Sequence, residues 1–162
     1  MRMTNSQRGF SLIELLIVVA IIGIIAAIAI PNLLASRRSA NEGSAIASTH
    51  TLMLGEATYL STKGAGSYGD LAALEGQGLI DALLGAGRKS GYAFVLTPMA
   101  ADATHPARYD ETAVPSPASG IAASGIRGFY SNESGVIYYE VGGTAPVADA
   151  STRAVTPNTP IK

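Results

Sequence analysis

"RGFSLIELLIVVAIIGIIAAIAIPNLL", Arg8 to Leu34, is apolar almost throughout and carries one carboxylate, Glu14, near its start. Leu15 to Ile30 is unbroken in its apolar character. As a helix, Phe10 to Leu34 extends about 37 Å at ~1.5 Å per residue, enough to cross a hydrocarbon core of roughly 30 Å. Gly23 is one weak point of that helix. Pro31 is the other, an expected helix break, because its ring removes a backbone donor. The preceding "MRMTNSQRG" carries Arg2 and Arg8. A short basic end of this kind stays on the cytoplasmic side while the apolar stretch enters the bilayer.

Three readings compete for this segment. A secretory signal peptide would be cleaved near "LLAS", but the apolar run is long for one and Glu14 is poorly placed inside it. A simple signal anchor would hold one domain at the membrane. Glu14 argues for a third reading. A carboxylate at a membrane helix centre costs about 2.5–3.5 kcal/mol, less near the interface, and a simple anchor gains nothing by keeping it. Cleavage between Gly9 and Phe10 would create an α-amine, largely cationic at neutral pH, one helical turn from Glu14. When such rods pack side by side, the carboxylate of one can meet the amine of the next. That pair would set register between apolar surfaces that otherwise slide past one another. Gly9 leaves the cleavage site without side-chain bulk.

The segment "RGFSLIELLIVVAIIGIIAAIAIPNLLASRRSANEGSA" strongly resembles the N-terminus of type IV pilins and type II secretion pseudopilins. Their hallmark is a short basic leader, a glycine, a cleavage, a phenylalanine and a glutamate four residues later. A long apolar helix with a late proline follows. Gly9, Phe10, Glu14 and Pro31 supply these elements, and the resemblance covers roughly the first 45 residues. It implies cleavage after Gly9 and N-methylation of Phe10 by a prepilin peptidase/methyltransferase. It also implies insertion in the bacterial inner membrane, then growth of a helical filament of identical copies on an inner-membrane assembly platform. Glu14 would neutralise the Phe10 amine of a neighbouring copy during that growth.

Beyond the rod the composition changes. The chain of 162 residues is 48% hydrophobic but only 14% charged, and its remainder is rich in Gly, Ala and Ser. A net charge of −1 supplies no basic field for nucleic acid, and the absence of cysteine removes disulfides and thiol chemistry. Residues 35–62 read as an amphipathic continuation of the helix, with Ile46, His50, Met53, Ala57 and Leu60 on one stripe. Arg37, Arg38, Asn41, Glu42, Ser48 and Glu56 are left for the other faces. "STKGAG" should end the helix near 61–66. No Phe, Tyr or Trp lies between Phe10 and Tyr59, so a bundle of such helices has an aliphatic core.

The globular head spans 63–162. Its αβ-loop, 63–90, suggests one or two short helices split by "GQG". An antiparallel sheet is expected over about 91–141, from "GYAFVLTP", "ARYDETAV", "IRGFYSN" and "GVIYYEV". "SNESG" reads as the turn of a hairpin. The tail, 142–162, holds three prolines without periodicity and is expected loose or draped on the surface. The cysteine pair of many type IV pilins and the "YP…GL" pattern of major pseudopilins are both missing, so both branches stay open.

An enzyme is not expected. His50 falls on the helix stripe, His105 precedes Pro106 in a loop, and neither has a partner at metal-ligand spacing. No cofactor is called for. Calcium is the one candidate ion, through loop oxygens of Asp102, Asp110, Glu111, Asn132 and Glu133, although their spacing matches no EF-hand. Arg37 and Arg38 follow the rod and suit either a membrane surface or an acidic neighbour in a filament. The expectation is an α+β, pilin-like chain with four parts: leader 1–9, membrane or filament-core helix 10–34, its amphipathic continuation 35–62, and the head 63–162. It would be a structural subunit of a type IV pilus-like filament, located in the inner membrane before assembly and in a periplasmic or extracellular filament after it. The alternatives are a major pseudopilin of a type II secretion system and a monomeric, anchored or exported binding domain.

Overall fold

The computed structural model describes residues 9–161. The leader residues 1–8, with Arg2 and Arg8, lie outside the described residues. Two compact units divide between Ser36 and Arg37. Helix α1, Leu12–Ser61, runs through both. Among the described residues of the N-terminal unit it is the only secondary-structure element. Its Ile- and Val-rich sequence has only moderate intrinsic helix propensity in water. In an apolar medium a helix satisfies its own backbone groups, which favours this conformation strongly. Helix α1 does not break at Pro31, contrary to the expectation; it continues through that residue with one donor fewer.

The C-terminal unit contains the rest of α1, two short helices and two sheets. Helix α2, Leu71–Gly76, starts where the Asp70 carboxylate accepts the Ala73 N–H at 2.8 Å. Helix α3, Ala82–Gly85, starts where Asp81 accepts the N–H groups of Leu83 and Leu84, each at 3.0 Å. Both caps fill donors that a helix leaves open at its N-terminus. Five strands follow: β1 (Arg88–Lys89), β2 (Tyr92–Met99), β3 (Arg108–Pro115), β4 (Arg127–Asn132) and β5 (Tyr138–Val141). They form an antiparallel meander in sequence order. Strand β1 falls inside the expected αβ-loop. The hairpin between β4 and β5 is the one that "SNESG" announces; Gly135, at a φ of +75°, donates to the Asn132 carbonyl at 3.0 Å.

Alternation along β2 puts Tyr92, Phe94 and Leu96 inside and Val95 outside. They join Ala45 and Leu52 of α1, Leu74 and Leu84 of the short helices, and Phe129 of β4 in one core. The stripe of α1 that meets this core overlaps the expected one only at its edge, where Ile46 and Met53 pack against the core. Its buried residues are Glu42, Ala45, Ser48, Thr49, Leu52, Gly55 and Glu56. His50 and Ala57 are exposed, and Ile46, Met53 and Leu60 are half-buried. Glu42 and Glu56 face inward, because polar partners on distant segments meet them there.

The segment after Gly142 also departs from the expected loose tail. Strands β6 (Val147–Ala148) and β7 (Val155–Thr156) pair antiparallel. Beyond them the Tyr139 N–H donates to Thr159 O at 2.9 Å and the Ile161 N–H to Ile137 O at 2.8 Å. Arg153 fastens the hairpin. Its guanidinium meets Asp110 at 2.8 Å and both Glu133 oxygens at 2.8–3.0 Å, and donates to Tyr109 O at 2.9 Å. Prolines without periodicity conceal such a segment, since backbone bonds and one arginine hold it rather than an apolar stripe.

Candidate functional site

The site expected from the sequence begins at the described N-terminus. Ser11 directly precedes α1, and Glu14 is in its first turn. The Glu14 Oε2 accepts the Ser11 N–H at 2.9 Å. "SLIE" is thus half of a capping box, in which an acid three residues into the helix reaches back to the capping residue's N–H. The signature lies at the start of the apolar run. The bond changes one premise of the sequence reading: a simple anchor does have a local reason to keep Glu14. The carboxylate also sits where the helix dipole favours negative charge.

Phe10 is 88% exposed, and the large aliphatic side chains from Leu12 to Leu33 are all between 49% and 75% exposed. The most apolar part of α1 has a mean hydropathy of 3.1, with none of it buried. A helix apolar on every side needs lipid or other apolar surfaces around it. At Gly9 an added Cβ would meet nothing within 4 Å. No contact among the described residues therefore requires glycine at that position.

The two arginines after the rod differ. Arg37 is exposed. Arg38 is committed inside the C-terminal unit: its Nε donates to Ala123 O, and its Nη2 to Gly120 O and Ile121 O, each at 3.1 Å. Asn41 Nδ2 donates to Ser124 O at 2.8 Å beside it. Arg38 thus braces the loop before β4 through three carbonyls.

A second brace is Glu42. Its Oε1 accepts the N–H groups of Ile126, at 2.7 Å, and Arg127, at 3.1 Å, while Oε2 accepts Arg127 Nε at 2.8 Å. Burial works against its charge, but the Ile126 N–H and the Arg127 side chain and N–H outweigh it and hold the carboxyl below the usual range.

The five proposed calcium oxygens do not converge. Asp102 accepts from Thr104 and from the His105 N–H within its own loop. Asp110 and Glu133 do come together, but around the Arg153 guanidinium, which occupies the place a cation needs. Glu111 is buried elsewhere, and Asn132 bonds Tyr130 Oη at 3.3 Å and the Ser134 N–H at 3.0 Å. Among the described residues no three His, Asp or Glu side chains are grouped to hold a metal. His105 lies in the exposed Asp102 loop. His50 lines an open groove of about 560 Å³ with Met53, Leu54, Ala57, Leu60, Tyr68 and Tyr109. His50, Met53, Ala57 and Leu60 of the expected stripe thus line this groove, and Met53 also packs against the core.

The prokaryotic N-terminal methylation motif matches residues 4–30. The chain is 69% identical over 38 residues to a type IV wide pilus major component of Thermus thermophilus, covering 24% of this chain and 29% of that protein. It is 41% identical over 46 residues to the type II secretion system core protein G of Escherichia coli, covering 28% and 32% of the two chains. With a type IV major pilin protein of Myxococcus xanthus it shares 44% identity over 62 residues, 38% of this chain and 28% of the other. The chain covers under a third of the length of each of these relatives. No solved structure matches it. Over its N-terminal part, the chain thus carries the prokaryotic N-terminal methylation motif and resembles type IV pilins and a type II secretion core protein; a long helix followed by a small antiparallel sheet carries that motif here.

Proposed function

We propose that the chain is the structural subunit of a type IV pilus-like filament. It is inserted in the inner membrane, cleaved after Gly9 by a prepilin peptidase, methylated at Phe10 and polymerised through its helix on a membrane assembly platform. The observation that carries this reading is the exposed aliphatic rod with one carboxylate in its first turn. Covering that rod with copies of itself removes apolar surface from contact with water, at about 25 cal/mol per Å² where water is displaced. The Glu14 carboxylate and a neighbour's Phe10 amine then neutralise one another and fix register. A second reading, a type II secretion pseudopilus subunit, has the resemblance to protein G in its favour. Both readings share the same assembly chemistry; the fibre's location separates them.

Glu14→Gln tests the proposal. A glutamine at this position keeps an oxygen for the Ser11 N–H and so retains the cap, but it removes the charge. The variant is expected to insert and be cleaved normally while filament yield falls by about tenfold or more, the equivalent of losing ~1.4 kcal/mol per added subunit. Filaments at wild-type yield would overturn the electrostatic role and leave Glu14 as a cap.

A further inference from the structure

Two carboxyl groups lie in the interior between α1 and the main sheet. Glu56 is 0% exposed and Glu111 is 1% exposed. Each is met by neutral donors alone: Glu56 Oε2 accepts the Gly69 N–H at 3.0 Å, and Glu111 Oε2 accepts the Ser131 hydroxyl at 3.1 Å with the Thr49 hydroxyl also close by. The other oxygen of each, Oε1, has no hydrogen-bond partner, and neither has Thr49 Oγ1, which faces Glu111 from α1. The head contains its own contrast. Glu42, also buried, has a guanidinium and two N–H groups for its charge.

The groups around the pair carry no positive charge. From α1 comes Thr49, from the loop before α2 come Tyr68 and Asp70, from β3 Tyr109 and from β4 Ser131. Glu133, which acts on Tyr68, is itself taken by Arg153. Arg108 neighbours Tyr109 in β3 but alternates to the opposite face of the strand. Among the described residues every Lys/Arg ion pair is made elsewhere: Lys89 with Asp81, Arg127 with Glu42, Arg153 with Asp110 and Glu133. An ionised carboxylate buried without a cation is far costlier than a neutral acid. A neutral acid also has fewer acceptor sites to fill than a carboxylate, which suits oxygens that have no partner.

We propose that Glu56 and Glu111 are both neutral acids in the native head, a two-proton store that makes the fold of the head depend on the pH around it. The inference concerns the head alone and stands apart from the filament reading. Burial pushes Glu56 up to about 7, against the Gly69 N–H and with help from Asp70. Burial pushes Glu111 up to about 8, against Thr49 and Ser131 and with help from Glu56. An unburied glutamate titrates near 4.5. Folding therefore takes up protons, and the stability from the pair is whole below pH 4.5. It falls as the pH climbs through the folded values and is lost beyond about 8.

The test is thermal unfolding of the full-length chain in detergent micelles, followed by near-ultraviolet circular dichroism between about pH 5 and 9. The melting midpoint of the head should fall by about 10 °C or more over that range. The double variant Glu56→Gln/Glu111→Gln should remove most of the fall. A flat wild-type midpoint, or an undiminished fall in the double variant, overturns the proposal. A rise in midpoint on adding calcium at the alkaline end also overturns it, by assigning the orphan oxygens to a metal. Infrared spectroscopy of the wild type needs no variant to fold. A protonated-carboxyl carbonyl band should be present near neutral pH and fade on alkalinisation, and its absence refutes neutral acids.

Discussion

Removing Glu42 should unfasten α1 from the edge of β4 within the C-terminal unit. The side chain is 10% exposed and fills three donors across 84–85 residues of sequence. Glu42→Ala strands the N–H groups of Ile126 and Arg127 and leaves Arg127 without its carboxylate. Breaking a buried ion pair from one side costs about 3–5 kcal/mol. The Arg127 side chain is 35% exposed and can turn to water, and it retains the faces of Phe129 and Tyr139 at 5.6 and 5.3 Å, so about 2–3 kcal/mol is expected here. For a head of this size that lowers the melting midpoint by roughly 6–12 °C. Glu42→Gln keeps an acceptor and should lose about half as much. The assay is thermal unfolding of the full-length chain in micelles near neutral pH, with a double-mutant cycle against Arg127→Met to isolate the pair. A midpoint change under about 2 °C for Glu42→Ala, or a coupling near zero, would refute the reasoning.

Gly128→Ala should detach the C-terminal hairpin, because a Cβ there would lie 2.0 Å from the Thr144 carbonyl oxygen, a backbone atom that cannot swing aside. Faster proteolysis after residue 142, with β1–β5 intact, is the expected signature. Glu14→Gln, by contrast, should leave the head's melting midpoint within about 1 °C of wild type while filament yield falls; a lower midpoint would mean that the variant acts through folding.

The parts of the fold legible in the sequence are those with local causes. The apolar run declares α1, the turn chemistry of "SNESG" declares the β4–β5 hairpin, and alternation in "GYAFVL" declares the inner face of β2. The stripe of α1 that meets the core was not legible. Apolar periodicity marked Met53, Ala57 and Leu60, which border the open groove, whereas Glu42 and Glu56 go inside because Arg127 and Gly69, far along the chain, supply their partners. Arg38 looked like a free charge for the same reason: its acceptors, Gly120, Ile121 and Ala123, are carbonyls and carry no side-chain signal. At the N-terminus the cap between Glu14 and Ser11 has a local cause too, since "SLIE" encodes it.

The account rests on a free amine at Phe10 one turn from Glu14. The most direct measurement is the intact mass and N-terminal peptide of the subunit purified from surface or periplasmic fibres. A chain that begins at N-methylated Phe10 is the predicted result. A subunit that retains its first nine residues, or begins near Ser36, would contradict it.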